Sequence, residues 1–114
     1  MNLISQNNYL SLALVTCYDI MIISFGSKET DKIWNGERIK KIPIEIQKIG
    51  RRKMRMLNNS QNLPDLKIPP SNRLEKLTGK LRDYYSIRIN DQWRIVFIWK
   101  NNNSHEVTIM DYHK

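Results

Sequence analysis

Apolar and polar residues alternate along the C-terminal third of the chain in the pattern of β-strands. Residues 85–89 and 93–99 carry aromatic or branched residues at every second position, and residues 106–111 follow with a third such run. Side chains that alternate with period two lie on opposite faces of a sheet. Residues 93–99 are apolar on both faces at their middle, which is typical of a central strand. The pattern therefore predicts three consecutive strands.

The same faces predict the turn between the first two strands. A three-residue loop over 90–92 places Ile87 opposite Ile95, whereas a two-residue loop would place Arg88 opposite Ile95. Register follows the apolar pattern, which favours the longer loop. That register sets Arg88 across from Arg94. Like charges in this position destabilise a sheet unless both reach water or an anion lies between them, and the spacing allows either arrangement.

The preceding residues predict one opening strand, two helices and a further short strand. Residues 22–25 favour a strand, and Ser27 can cap a short helix that reaches about Asn35. Proline suits the first turn of a helix, so a longer helix is predicted over 43–60. Residues 72–77 are predicted as a short strand. This order indicates an α+β fold, with a small antiparallel-rich sheet and helices on one side.

The longer helix is predicted to bury one face and to expose the other. Lys53 falls within the apolar stripe, so it must extend to water or the helix must bend there. The residues at helical spacing on the buried stripe are Ile42, Ile46, Ile49, Met56 and Leu57. The opposite face carries Lys48, Arg51, Arg52 and Arg55, here called the basic ridge. This ridge is either a solvated helix face or a surface that attracts a nucleic-acid backbone. In the linker that follows, the residues expected to reach the core are Leu63, Leu66 and Ile68.

Length and charge restrict the classes of protein to be considered. The chain has 114 residues, which suits one small domain, and a net charge of +8. Such a charge indicates an anionic partner, either nucleic acid or an acidic protein, and less readily a membrane surface. Cys17 is the single cysteine. No disulfide can form within the chain, which fits the reducing cytoplasm.

Residues 1–20 differ in composition from the remainder, since Asp19 is their one charged residue. The apolar run 9–18 is too short to span a bilayer, and no basic leader precedes it. We therefore expect 1–20 to be an N-terminal extension outside the core fold and 21–114 to form the domain. The alternative is that the extension adds a strand or helix to the domain.

The residue types favour acid–base chemistry over metal or nucleophilic catalysis. His105 and His113 are the two histidines, and they do not have the spacing of a metal site. Glycine-rich phosphate loops and motifs for a serine or cysteine nucleophile are absent from the sequence. RNA cleavage by the 2′-hydroxyl needs a base, cationic donors for the charged phosphate and an acid for the leaving 5′ oxygen.

Residues suited to that reaction lie near the C-terminus. His113 can act as acid or base near neutral pH, and Tyr112 can stack on a base or donate to phosphate. Arg94 offers two donors from a stiff strand, and Arg88 can add charge across the ladder. Asp111 either orients a neighbour or pairs with an arginine. On the residues alone, a histidine near a terminus is more often a solvated residue than a catalytic one.

Three segments resemble the HigB/GraT branch of RelE-like toxins. They are the run 72–79, the run 85–97 with its Asn-Asp-Gln-Trp-Arg segment, and the terminal Asp-Tyr-His at 111–113. The resemblance spans about 21–113. It implies a RelE-like twisted sheet packed by two N-terminal helices. It also implies a ribosome-dependent, cofactor-free mRNA endonuclease that is neutralised by a HigA-type helix-turn-helix antitoxin, with operator DNA bound only through the toxin–antitoxin complex.

The resemblance implies catalytic roles for Arg94, Asp111, Tyr112 and His113. Some family members have a basic residue at the position of Thr78 and a histidine at that of Glu75. The residues expected to contact RNA are Arg88, Lys76, Lys80, Arg73, Lys48, Arg51 and Arg55. Two other functions stay open: a non-catalytic nucleic-acid-binding module, and a degenerate toxin that acts only as antitoxin partner and operon co-regulator.

Overall fold

Ser27 begins the first helix, as its residue type predicts. The computed structural model describes residues 22–112, so the predicted extension 1–20 and His113 lie outside the described residues. Helix α1 spans Lys28–Trp34, and the Ser27 hydroxyl accepts a hydrogen bond from the Thr30 amide at 3.1 Å. Helix α2 spans Ile44–Asn59, with Pro43 at the N-cap, one position before the first turn. Both predicted helices are thereby confirmed.

Four antiparallel strands follow in the order β1-β2-β3-β4. Their bounds are β1 Glu75–Lys76, β2 Tyr85–Arg88, β3 Trp93–Lys100 and β4 Asn103–Asp111. The predicted strand at 72–77 is therefore shorter than expected, since Pro70–Asn72 form a 3₁₀ turn before it. The predicted opening strand is reduced to two isolated parallel bridges, from Ile22 and Phe25 to β4. The predicted α+β fold is confirmed.

The predicted register between β2 and β3 is also confirmed. Ile87 pairs with Ile95, and Arg88 pairs with Arg94. The side-chain oxygen of Asn90 accepts hydrogen bonds from the amides of Gln92 and Trp93, each at 2.8 Å, and so closes the three-residue loop. A polar side chain that bonds its own turn in this way favours the turn over continued strand.

Helix α2 covers one face of the sheet and forms the core with it. The sheet contributes Ile87, Ile95, Phe97 and Ile109, and the helix contributes Ile46, Met54 and Leu57, all buried. Gly50 permits this close approach, because a Cβ there would lie 2.8 Å from Cδ1 of Ile109. Of the predicted stripe, Ile49 and Met56 are half-buried rather than buried. Met54, which the stripe omitted, is fully buried.

One predicted core residue is wrong. Ile68 is 74% exposed, whereas Leu66 is fully buried and Leu63 is half-buried. Residues Leu63–Lys67 form a 3₁₀ helix. Such a helix has three residues per turn, so positions 63 and 66 share a face and position 68 falls away from it. Among residues 22–112, no helix has the length and apolar character needed to cross a bilayer.

Candidate active site

Arg94 in β3 is held in one orientation by groups from two neighbouring segments. Its Nε donates to the hydroxyl of Ser86 at 2.8 Å, and one terminal nitrogen, Nη2, donates to the carbonyl of Arg73 at 2.8 Å. The same Nη2 lies 3.8 Å from a carboxylate oxygen of Glu75. The side chain is 12% exposed. A planar guanidinium fixed through two acceptors presents its remaining donors in a defined direction.

Tyr112 lies on the same side of the sheet as Arg94. Arg94 pairs with Met110 across β3 and β4. Because strand side chains alternate, Tyr112, two residues after Met110, lies on the same face as Met110 and Arg94. The Arg94 Cζ atom lies 6.0 Å from the centre of the Tyr112 ring, at the outer limit of a cation–π contact. The Tyr112 amide donates to the carbonyl of Gln92, which fixes the chain at this point. The structure thus brings these two predicted residues together.

Two further arginines lie around this face. Arg88 is the cross-strand partner of Arg94 and donates to the carboxylate of Asp91 at 2.6 Å. That hydrogen bond and the charge of Arg88 hold the pKa of the Asp91 carboxyl below its usual value, with a smaller contribution from Arg73. The Arg88 side chain is 27% exposed and Asp91 is 99% exposed, so solvent reaches this pair. Arg73, Arg88 and Arg94 therefore form a cluster of positive charge. These three arginines and Tyr112 are here called the arginine face.

Asp111 belongs to the other side of the sheet. It pairs with Trp93, and the preceding odd-numbered residue Ile109 faces the core. Since successive strand residues alternate in direction, Asp111 and Tyr112 point to opposite faces. Gln92 donates from its side-chain amide to Asp111 at 3.2 Å. Asp111 is therefore adjacent to Tyr112 in the chain but does not belong to the arginine face.

Lys76 and Lys80 lie at the margin of the sheet. In β1, Glu75 pairs with Ser86 and Lys76 pairs with Tyr85, so Glu75 shares the face of Arg94 and Lys76 lies on the opposite one. The Lys76 ammonium lies 5.2 Å from the centre of the Tyr85 ring and donates to the Arg82 carbonyl. Lys80 is exposed in the 3₁₀ turn Gly79–Leu81.

The basic ridge of α2 is separated from the arginine face by the sheet. Helix α2 packs on the face that carries Ile87 and Ile109, whereas Arg94 projects from the other face. Lys48 and Arg55 are exposed, and Arg51 donates from Nε to the carbonyl of Trp34 at 3.1 Å. Because the two surfaces lie on opposite sides of the domain, one short RNA segment cannot contact both.

Sequence reasoning missed two residues that hold Arg94. Ser86 is fully buried, and its hydroxyl is the acceptor for the Arg94 Nε. A signal for it existed, since Ser86 is a small polar residue on the predicted face of Arg88. Glu75 is the second. Within residues 22–112, no three histidine, cysteine, aspartate or glutamate side chains are grouped so as to hold a metal ion.

Comparison with known proteins identifies the family. A family model described as the RelE-like toxin of the type II toxin–antitoxin system HigB matches residues 23–113. The chain belongs to this HigB-like toxin family. It is 36% identical over 95 residues to Toxin HigB-1 of Vibrio cholerae serotype O1, a match that covers 82% of this chain and 99% of that toxin. The resemblance inferred from the sequence motifs is therefore confirmed.

Two further matches are a curated protein and a solved structure. An uncharacterized protein of Haemophilus influenzae is 42% identical over 67 residues, which is 59% of this chain and 66% of that protein. The YoeB–YefM complex from Staphylococcus aureus contains a chain with TM-score 0.50 and 20% identity, covering 83% of this chain and 98% of that one. The match to the Staphylococcus aureus structure shows a shared fold. This HigB-family toxin thus has the RelE-like architecture that its motifs predicted.

Proposed function

We propose that this HigB-family toxin is a metal-independent endoribonuclease that cleaves mRNA on the translating ribosome and so inhibits translation. The observation that carries the proposal is the fixed guanidinium of Arg94, bound to Ser86 and to the Arg73 carbonyl beside Tyr112. A nucleic-acid-binding surface needs positive charge but no fixed donor geometry. Stabilising the charge that develops on one phosphate does need donors that are already oriented.

Arg94 and Arg88 are the groups proposed to bind the scissile phosphate. Arg94 retains nitrogen donors beyond the two that are used internally, and an arginine pairs with phosphate oxygens through parallel hydrogen bonds. Arg88 lies across the ladder and can exchange its exposed partner Asp91 for phosphate. The Tyr112 ring can stack on an adjacent base, which is a common mode of single-stranded RNA recognition.

The proposed reaction is an internal transfer at phosphorus. A base removes the proton from the 2′-hydroxyl, the 2′ oxygen attacks phosphorus, and the bond from phosphorus to the 5′ oxygen breaks. An acid then gives a proton to that 5′ oxygen, leaving a 2′,3′-cyclic phosphate and a 5′-hydroxyl. We propose His113 and Tyr112 as the two proton carriers and Asp111 as a residue that orients the C-terminal segment.

The proposed partners follow from the family and the charge. A HigA-type helix-turn-helix antitoxin would neutralise the toxin, and operator DNA would be bound through that complex. The net charge of +8 suits a protein that works on ribosome-bound mRNA in the cytoplasm. The YoeB structures, which share this fold, are complexes of a toxin with the antitoxin YefM.

The proposal is tested by inducing the chain in a bacterial host and mapping mRNA ends, with and without translation of the message. We expect growth arrest and cuts only in translated mRNA, and loss of both effects in Arg94→Ala and His113→Gln. The matched control is Lys100→Ala, an exposed basic residue at the end of β3, which should remain toxic. Circular dichroism confirms that each variant is folded.

Two outcomes would contradict the proposal. If Arg94→Ala and His113→Gln are as toxic as the parent, the assigned site is wrong. If instead each basic substitution causes a similar modest loss, and RNA binding falls steeply with salt, the chain is a non-catalytic binding module.

A further inference from the structure

A lysine is buried on the core-facing side of α2 and donates a hydrogen bond to the turn before β1. Lys53 is 7% exposed, and its ammonium donates to the side-chain oxygen of Asn72 at 2.5 Å. Burial lowers the pKa of Lys53, and the nearby charges of Arg52 and Arg88 lower it further. Taking an ammonium out of water costs several kcal/mol, which its hydrogen bonds offset only in part. A hydrophobic residue would fill this position at lower cost.

Asn72 connects this lysine to the turn before β1. Its side chain is fully buried and donates to the carbonyl of Leu66 at 3.1 Å and to that of Ile68 at 3.4 Å. Its amide also lies 3.2 Å from the sulfur of Met56 in α2. The backbone amide of Asn72 donates to the Pro69 carbonyl at 2.9 Å. The 3₁₀ turn Pro70–Asn72 is therefore tied to both α2 and the preceding linker.

The residue after Asn72 provides one of the two acceptors for Arg94. Arg73 adopts the left-handed conformation, with φ +44° and ψ +58°, which few residues other than glycine occupy. Its carbonyl accepts the hydrogen bond from Nη2 of Arg94 at 2.8 Å. Backbone in such sparsely populated regions persists only where surrounding contacts hold it. The hydrogen bonds of Lys53 and Asn72 supply contacts of that kind at the residue immediately before Arg73.

We propose that Lys53 and Asn72 are positioning residues that fix the Arg73 carbonyl and, through it, the orientation of the Arg94 guanidinium. The catalytic consequence rests on the proposed nuclease function, whereas the orientation of Arg94 does not. Without the Arg73 carbonyl, Arg94 keeps its Nε hydrogen bond to Ser86 and only the longer 3.8 Å contact with the exposed Glu75, so rotation of the guanidinium is less restricted. A second anchor at Nη2 defines the plane of the guanidinium. A displacement of about 1 Å in a positioning group can cost on the order of 100-fold in rate.

The test replaces Lys53 by methionine, which keeps the length of the apolar stem and removes the donor to Asn72. Lys53→Met leaves the buried Asn72 oxygen without its donor, which destabilises the fold, but also removes the cost of a buried ammonium, so the variant should remain folded. The matched control is Lys32→Met, which removes the same charge from an exposed position in α1. Lys53→Arg, which retains a donor, tests rescue, and Lys53→Leu, which also lacks a donor, serves as the second variant if Lys53→Met does not fold.

Two measurements separate positioning from stability and from the nuclease proposal. In steady-state cleavage of ribosome-bound mRNA, we expect kcat to fall by about 10- to 100-fold in Lys53→Met with KM nearly unchanged, because geometry rather than binding is altered. By NMR, the Nη protons of Arg94 should give separate resonances in the parent and merge in Lys53→Met. We expect Lys32→Met to behave as the parent in both, and Lys53→Arg to recover most of the loss.

The positioning role is overturned if the Arg94 resonances of Lys53→Met match those of the parent. It is also overturned if kcat in that variant is unchanged. The same holds if the loss of kcat equals the fraction of the variant that thermal unfolding shows to be unfolded at the assay temperature. If the parent itself does not cleave RNA, the proposed function fails, while the NMR measurement still decides whether Lys53 orients Arg94.

Discussion

Arg88 and Arg94 lie directly opposite one another in the antiparallel ladder between β2 and β3. Each guanidinium has a carboxylate near it: Asp91 at 2.6 Å from Arg88, and Glu75 at 3.8 Å from Arg94. Facing like charges cost a sheet free energy, and an anion between them removes that cost. A phosphate bound between these two guanidinium groups would therefore stabilise the folded state.

Anions are expected to stabilise the folded toxin through this pair. A ligand that binds only the folded state raises the midpoint of thermal unfolding, and the stabilisation grows with the logarithm of its concentration above Kd. Phosphate should raise that midpoint above its value in chloride at equal ionic strength, and Arg88→Gln should remove most of the increase. Differential scanning calorimetry measures the shift. The control is Lys100→Gln, and equal shifts in the two variants would show that the effect is general to the surface.

Asp91→Asn is expected to tighten RNA binding at neutral pH, because Asp91 competes with phosphate for Arg88. The pKa of Asp91 is lowered in the folded state by Arg88, so its ion pair contributes stability above the unfolded pKa of about 3.9 and is lost as pH falls through the folded pKa. The parent and Asp91→Asn should therefore differ at neutral pH and converge in acid. Fluorescence anisotropy with a short RNA and acid unfolding curves check both statements. A constant difference down to the lowest pH measured would contradict this role.

Ser86→Ala is expected to reduce both stability and activity. The change leaves the Nε of the largely buried Arg94 without its acceptor, which costs about 1–3 kcal/mol. The matched control is Ser104→Ala, since Ser104 is equally buried and its hydroxyl has no hydrogen-bond partner among the described residues. Urea unfolding and mRNA cleavage compare the two. Similar losses in both variants would assign the effect to burial of a serine rather than to Arg94.

Thr30→Val is expected to destabilise the packing of α1 on the sheet. The Thr30 hydroxyl is buried and accepts a hydrogen bond from the amide of Ile109 at 3.0 Å. Valine has the same shape but no acceptor, so the amide is left unpaired at a cost of about 1–3 kcal/mol. The free energy of unfolding in urea measures the loss. Thr78→Val, at an exposed position, should change it little.

Gly26→Ala is expected to loosen the N-terminal segment from β4. A Cβ at this position would lie 2.1 Å from the hydroxyl oxygen of Thr108 and 3.0 Å from the Glu106 carbonyl oxygen. Overpacking of this kind costs about 1–3 kcal/mol. Thr108→Ala removes the closer of the two contacts, so the double variant should lose less stability than the sum of the single ones. Strict additivity in urea unfolding would show that the contact with Thr108 does not cause the loss.

The pairing of β2 with β3 could be predicted from residues 85–99 because strand side chains have a period of two. A shift by one residue would have moved every isoleucine to the wrong face, so a single register satisfied the apolar pattern. The juxtaposition of Arg88 and Arg94 followed from that register without further information. The start of helix α1 could also be predicted from nearby residues, since the Ser27 hydroxyl and the Thr30 amide that it binds are three residues apart.

Ile68 shows where local pattern failed. Its apolar side chain suggested burial, but the 3₁₀ helix Leu63–Lys67 turned it to solvent. Lys53 is the converse case, a charged residue that is buried. Its position in the apolar stripe was visible in the sequence, but its partner Asn72 is 19 residues away and belongs to an irregular turn. Periodicity carries no information about such a contact.

The sequence by itself determined the three C-terminal strands, the register between β2 and β3, the two helices and the pairing of Arg88 with Arg94, because each depends on residues close together along the chain. The tertiary structure alone decided what surrounds Arg94. The Ser86 hydroxyl, the Arg73 carbonyl and the Tyr112 ring come from three separate segments, and packing of α2 on one face places the basic ridge away from them. These distances depend on how the segments pack in three dimensions, which no pattern along the chain records.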